Sequence, residues 1–209
     1  LQVLNHVGKL LGAVLSLDEV LAEILRLANE VLKFKCCAVL LPDMDNRDFL
    51  QVRAAIGYPA DVINGTRVQR GHGVTGAAYR TGLPSIVEDV TLHPDYIPGI
   101  HNGRCEMACP LIARGKVLGV LDCEGAEADG FSDQDFLLFS TFASQAAVAI
   151  RNAQILERKQ AIYYQTISSL ANALEARDSY TRGHSVRVTR IALNIGRRLG
   201  VGETEQDVI

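Results

Sequence analysis

The chain of 209 residues has no tryptophan, six prolines and an aromatic content of only 6%. It has no apolar run near the ~20 residues a membrane-spanning helix requires, the longest being short stretches such as Cys36 to Leu41 and Val117 to Leu121. Leu1 opens directly into a polar and apolar mixture, without a charged-then-apolar leader, so no membrane partner and a cytoplasmic location are expected. No charge sign dominates: 21 Lys and Arg against 24 Asp and Glu leave a net charge of −3, with both signs interspersed. That balance supplies no field to attract a polyanion and disfavours nucleic acid as a partner. Five cysteines are an odd number without a CxxC pair, which fits a reducing compartment better than a disulfide framework. What remains, 48% hydrophobic and 22% charged residues, is an ordinary globular composition, long enough for one domain plus part of another.

Ser16-Leu17-Asp18-Glu19 has the spacing of a capping box, and Leu17, Val20, Leu21, Ile24, Leu27, Ala28 and Val31 follow at helical intervals. Short apolar runs punctuated by turn residues predict strands at Cys36 to Leu41, Leu50 to Ile56, Ser85 to Val87, Met107 to Ala113 and Val117 to Cys123. The last two flank Arg114-Gly115-Lys116 and predict an antiparallel hairpin, with Gly115 taking the positive φ of the turn. Thr91 to Arg104, with two Pro, two Gly, two His and one Asn, has no period and reads as a long loop of the kind that covers a pocket.

From Phe131 to Arg182 there is neither Gly nor Pro, and Ser132, Asp133 and Asp135 supply a cap, so one long helix is expected. Phe139, Phe142, Ala146, Ala149, Ala153, Leu156, Gln160, Tyr163, Ile167, Leu170 and Leu174 alternate spacings of three and four, an a/d seam. Forty helical residues extend roughly 60 Å, wider than a small domain, so the far half needs another apolar surface and a parallel partner chain is expected. Three successive Ala and a polar Gln160 would make that coiled coil weak and able to change register. Two shorter helices with a hidden break are the alternative. The pattern then restarts with Val188, Ile191, Ala192, Ile195 and Leu199, stopped by Gly200, and Glu203 to Ile209 begins a further helix.

Three blocks, "RGHGVTGAAYRTGLPSIVEDV", "MACPLIARGKVLGVLDCEG" and "FSDQDFLLFSTFASQAAVAIRNA", make residues 1–155 resemble a GAF domain, a small-molecule sensor and dimerisation module of signalling proteins. The resemblance implies an α+β fold: a central antiparallel sheet, first and last helices on one face, and a ligand pocket on the other, closed by the irregular loop. Residues 156–178 would be a coiled-coil linker. "ALEARDSYTRGHSVRVTRIALNIGRRLG" is similar to the opening of an HD-GYP domain, a metal-dependent phosphodiesterase of cyclic di-GMP, so residues 179–209 would be the first helices of an all-α domain. That resemblance makes His184 a metal ligand and implies Fe or Mn in the complete domain; one His cannot hold a binuclear site, and this fragment is expected to be non-catalytic. For the sensor domain the resemblance fixes no cofactor.

Candidate contacts for a small polar or anionic effector are His72, Tyr96, Arg104, Glu106 and Cys109, a few directed donors and charges in an otherwise apolar cavity. Arg104 as a solvated charge, and His93 and His101 as loop residues, are the plainer readings. Gly71 to Gly76 satisfies G-x-G-x-x-G, with Asp89 18 residues on. The polar stretch before it and the short helix after it do not suit a dinucleotide fold, so these glycines are expected to shape a loop and short helix beside the pocket. Cys105 and Cys109 share a strand face with Met107 and read as small buried hydrophobes, with redox sensing or iron-sulfur ligation as the alternative. The expected function is an effector-sensing, homodimeric module controlling the phosphodiesterase through the long helix; a ligand-free dimerisation scaffold is the competing reading.

Overall fold

Capping chemistry sets the first helix. In the computed structural model, which describes residues 16–30, 32–127, 130–177 and 183–202, the Ser16 backbone N–H and hydroxyl donate to Glu19 Oε2 at 2.8 and 2.9 Å. The Glu19 N–H donates back to Ser16 Oγ at 3.3 Å, closing the box at the start of α1 (Leu17–Glu30). The Leu17 N–H, another free amide of that first turn, donates to Glu157 Oε1 at 2.8 Å.

Strands β1 (Cys36–Pro42) and β2 (Phe49–Ile56) follow, then a short helix α2 (Ala60–Gly65), β3 (Arg67–Gln69), α3 (Gly73–Thr81) and β4 (Ser85–Val87). A single turn at Val90–Leu92 leads through the irregular loop into β5 (Cys105–Ala113) and β6 (Lys116–Gly125). Among the described residues the six strands form one sheet in the order β3-β2-β1-β6-β5-β4, with every pair antiparallel. The β5–β6 turn places both Arg114 (φ 50°) and Gly115 (φ 74°) in the left-handed region, so the predicted hairpin closes by a two-residue turn matched to strand twist. Gly82 at φ 69° ends α3. Helix α2 and strand β3 are additions: Arg67–Gln69 is too polar for an interior strand but serves as an edge strand, with only Val68 buried.

The long helix α4 runs Asp133–Arg177, capped by Ser132, whose hydroxyl accepts from the Asp135 N–H while Ser132 donates to Asp135 Oδ2. The chain divides into two compact units after Glu157. In the first unit α1 and α4 cover one face of the sheet, and Phe139, Ala146, Ala149, Ile150 and Ala153 sit in its core with Leu21, Ile24 and Leu121. The a/d seam is thus divided. Its first turns, including the three alanines, are consumed by the domain's own core, where small side chains let a helix lie close to its neighbours. In the second unit the seam is open: Tyr163 (65% exposed), Ile167 (46%) and Leu170 (61%) have no apolar cover among the described residues. The second unit also contains α5 (His184–Arg198), whose Val188, Ile191, Ile195 and the following Leu199 are exposed, with Gly200 at φ 76° beyond its end. The expected helix at Glu203 to Ile209 lies outside the described residues. Among the described residues no helix is long and apolar enough to cross a membrane.

Candidate functional site

Strand alternation sorts the chemistry of β5 and β6 onto two faces. Met107, Cys109, Leu111, Leu121 and Cys123 point into the core under α1 and α4. Glu106, Ala108, Asp122 and Glu124 take the other face, with Ala38 and Leu40 of β1 beside them, and the three carboxylates line a cavity under the irregular loop. Asp122 is flanked in register by Ala38 on one side and Ala108 on the other, and these two small side chains leave the space above it. Glu106 and Asp122 are each only 3% exposed. The remaining wall is mainly apolar, with Val62, Ile63 and Ile97 among its residues beside Thr66, Thr75 and Tyr58, and none of the side chains lining it is Lys, Arg or His.

Two tyrosines and the loop backbone satisfy part of this charge. The Tyr58 hydroxyl donates to Asp122 Oδ2 at 2.7 Å, the Tyr96 hydroxyl to Glu124 Oε2 at 2.8 Å, and the Ile100 N–H to Glu124 Oε2 at 3.2 Å. Glycine permits that last approach: a Cβ at Gly99 would collide with Glu124 Oε1 and the Tyr58 ring, and one at Gly103 with the Tyr96 hydroxyl. Glu106 Oε2 and Asp122 Oδ1 are buried and receive no donor from the surrounding wall, and the two carboxyls hydrogen-bond to each other through a proton held on Glu106.

Burial, reinforced by the neighbouring Asp122 and Glu124 charges, pushes the Glu106 carboxyl well above the usual carboxylate range. Burial also raises Asp122 to about 6, against the pull of its Tyr58 and Glu106 hydrogen bonds. Glu124 rises to about 7, from burial and the Asp122 charge, partly offset by Tyr96 and Ile100. The Tyr58 and Tyr96 hydroxyls are pushed up by burial and by Asp122 and Glu124 respectively, so they remain protonated donors. The cavity measures about 30 Å³, room for about two water molecules.

The structure brings together only part of the sequence-derived set. Glu106 lines the cavity and Tyr96 closes its edge through Glu124. His72 is an exposed residue preceding α3 and makes no side-chain cap bond. Arg104 pairs with Asp89 at 2.9 Å outside the cavity. Cys109, three positions from Glu106, falls on the opposite face of β5 and belongs to the helix-side core. Gly71 and Gly73 adopt φ of 91° and 63° in the turn into α3. His184 opens α5, but its side chain lies outside the described residues, and among the described residues no three His, Cys, Asp or Glu side chains are grouped to hold a metal. Cys37, Cys105, Cys109 and Cys123 are buried and unbridged, and burial raises the Cys109 thiol to about 12, which keeps it protonated and unreactive. Sequence reasoning missed Tyr58, Asp122 and Glu124; the available signal was the D-x-E alternation within the otherwise apolar β6.

A wider, open groove of about 670 Å³ lies between α1 and β2. Its charges are already neutralised within the chain, Arg26 by Glu23 and Glu30 and Arg53 by Asp18, so it offers a ligand less than the carboxylate cavity does.

A family model described as "GAF domain" matches residues 14–151. The Nif-specific regulatory protein of Herbaspirillum seropedicae is 28% identical over 128 residues, 58% of this chain and 23% of that protein. The chain spans less than two thirds of the length of the curated relatives it matches. Among solved structures, the free methionine-R-sulfoxide reductase from Neisseria meningitidis, in complex with its substrate, superposes with a TM-score of 0.64 at 25% identity, covering 73% of this chain and 88% of that one. The GAF domain/HD domain protein from Geobacter sulfurreducens gives 0.58 at 21% identity, covering 69% and 98%.

Proposed function

Since the chain belongs to the GAF domain family of sensory regulatory modules, we propose that residues 1–155 sense a small-molecule effector at the carboxylate cavity and pass the signal along the long helix. One observation carries the reading. Strand β6 is shared between the cavity and the helix layer, with Asp122 and Glu124 on one face and Leu121 and Cys123 on the other, in the same core cluster as Phe139 and Ile150 of α4. A change in the cavity is therefore one strand away from the helix, and an effector acts by preferring one arrangement of that strand and helix.

The output we propose is an HD-GYP phosphodiesterase of cyclic di-GMP beginning at about residue 179, reached through a homodimeric linker over 156–178. The T-x-G-H-S-x-R-V segment from Thr181 to Val188, the exposed apolar stripe of α5 and the fold likeness to a GAF domain/HD domain protein support it. The open seam at Tyr163, Ile167 and Leu170 supports pairing with a second copy. His184 would be one ligand of that domain's divalent metal, Fe or Mn, which supplies a metal-activated water for hydrolysis. The described residues offer no further ligands for it, and no step of the reaction is assigned to this chain. The sensor site is proposed to bind rather than to reduce: Cys37, Cys109 and Cys123 sit in the helix-side core, and Cys36, though in register with Glu124, is not among the residues lining the cavity.

The small volume of the cavity favours the competing reading, a ligand-free dimerisation scaffold. The complete protein, loaded with Mn or Fe, separates them when its cyclic di-GMP hydrolysis is compared with that of a Glu106→Gln variant. A rate that differs between the two supports sensing; equal rates support the scaffold; no turnover by either overturns the phosphodiesterase output.

A further inference from the structure

We propose that the loop from Thr91 to Arg104 is a proton-controlled gate, latched on Glu124 while the carboxyls beneath it share protons and lifting from the cavity as they ionise. The gate governs access to the proposed effector site, and that reading gives it a purpose, but its operation requires no bound effector. The polar attachment is a single side chain. The hydrogen bonds tying residues 94–102 to the sheet come from the Tyr96 hydroxyl and the Gly99 and Ile100 N–H groups, and all end on the Glu124 carboxylate. At the loop's two ends the Val90 N–H donates to Arg104 O and the Arg104 N–H to Gly125 O, so hinge points are fixed while the span between them hangs on Glu124. Ile97 adds apolar packing against the cluster that includes Val74 and Ala78.

Glu124 meets charge of its own sign. Glu106 of β5 is directly opposite and Asp122 is two residues along β6, and like charges opposed across a strand pair are unfavourable. On the other side Cys36 of β1 is opposite, its thiol pushed up by burial and then by Cys37 and Glu124. Tyr58 and Tyr96 supply hydroxyl donors, α2 and α3 supply Val62, Ile63 and Thr75, and no lining side chain is cationic. Ionised carboxyls in this buried space repel one another and lack water. Lifting the loop solvates Glu124, and a solvated carboxyl titrates near about 4. Under the closed loop Glu124 titrates at about 7, held up by burial and the Asp122 charge. The closed form thus keeps a proton that the open form releases to solvent. Its advantage is complete at low pH and is lost as pH climbs through about 7. The loop's own titratable residues are His93, Asp95 and His101. A histidine that charges as pH falls would favour opening in acid, the reverse slope.

Amide exchange of the full chain between pH 5 and 8, corrected for the intrinsic exchange rate, tests the gate at Ile100 and Gly103, whose N–H groups are bonded within it. Their opening constant is expected to rise roughly tenfold or more across the interval, and to exceed that of Ile24 in the core of α1 at every pH. Glu124→Gln keeps the side-chain volume and cannot ionise, so most of the slope should disappear, whatever the level of opening. Tyr96→Phe removes a tether but no carboxyl, and should raise the opening constant at every pH while keeping the slope. A flat wild-type profile, the same slope in Glu124→Gln, or no increase in Tyr96→Phe overturns the proposal. So does exchange of Ile100 and Gly103 with the opening constant of Ile24, since the loop would then open only with global unfolding. None of these failures touches the effector reading, which is decided by hydrolysis in the complete protein.

Discussion

Glu106 on β5 stands directly across from Glu124 on β6, so two acidic side chains of adjacent antiparallel strands face one buried cavity, with Asp122 beside them. The folded state holds this arrangement most cheaply when protons are shared among the carboxyls. Each raised pKa means that the native protein binds protons the unfolded chain has released.

Stability should accordingly fall as pH rises. The unfolded carboxyls titrate near about 4, while Asp122 and Glu124 titrate at about 6 and about 7 in the fold. The folded state is thus favoured below about pH 4 by these groups, and that advantage is lost as pH climbs through 6 and 7. Asp89, held low chiefly by Thr91 and Arg104, works in the opposite sense and only at acid pH. Thermal unfolding between pH 5 and 8 in dilute buffer is expected to show a loss on the order of 2 kcal/mol; stability rising across that interval would contradict the assignment.

Removing one charge should stabilise the sensor. Glu106→Gln keeps volume while deleting the most strongly opposed carboxyl, and a gain of about 1–2 kcal/mol at pH 8 is expected, shrinking toward pH 5. Urea unfolding at the two pH values measures it. A protein stabilised by losing a buried acid is one that keeps the acid for binding.

Gly99→Ala should unlatch the loop. The added methyl group meets Glu124 and the Tyr58 ring, so the backbone that donates to Glu124 must move away. A loss of about 1–3 kcal/mol is expected, together with faster amide exchange from His93 to Arg104 and unchanged exchange in α1. Uniformly faster exchange would point to general destabilisation instead.

The two stretches of α4 should answer differently to truncation. Ile150→Ala empties a fully buried site and should cost about 2–5 kcal/mol. Replacing both Tyr163 and Ile167 by Ala removes exposed side chains, and is expected to leave sensor unfolding unchanged while converting a sedimenting dimer into a monomer. A wild-type chain that stays monomeric at high concentration would remove the paired linker.

Much of this fold was legible from local chemistry. Ser16 with Glu19, the Arg114-Gly115 turn and the Gly- and Pro-free run after Phe131 are short-range signals, and the structure forms the corresponding elements. The seam was harder, because Ala146, Ala149 and Ala153 repeat with the same period whether they face a partner helix or the domain's own core. The site was half visible. Glu106 and Cys109 lie an odd number of positions apart on one strand, which already assigns them to opposite faces. Asp122 and Glu124 alternate with Leu121 and Cys123 and so read as a solvent-facing edge. They are buried because α3 packs against β5 and β6 on that face, with α2, β3 and the Tyr96 to Ile100 segment completing the cover, and α2 and β3 leave little hydrophobic pattern in the sequence.

The most direct test of the link between cavity and helix is site-resolved amide exchange in the full chain, comparing wild type with Glu106→Gln at pH 8. Protection should change along Leu121–Gly125 of β6 and, on α4, around Phe139 to Ile150, the turns in the same core cluster as Leu121 and Cys123. Changes confined to β5 and the loop from His93 to Arg104, with α4 unaltered, would show that the cavity does not speak to the helix and would contradict the account.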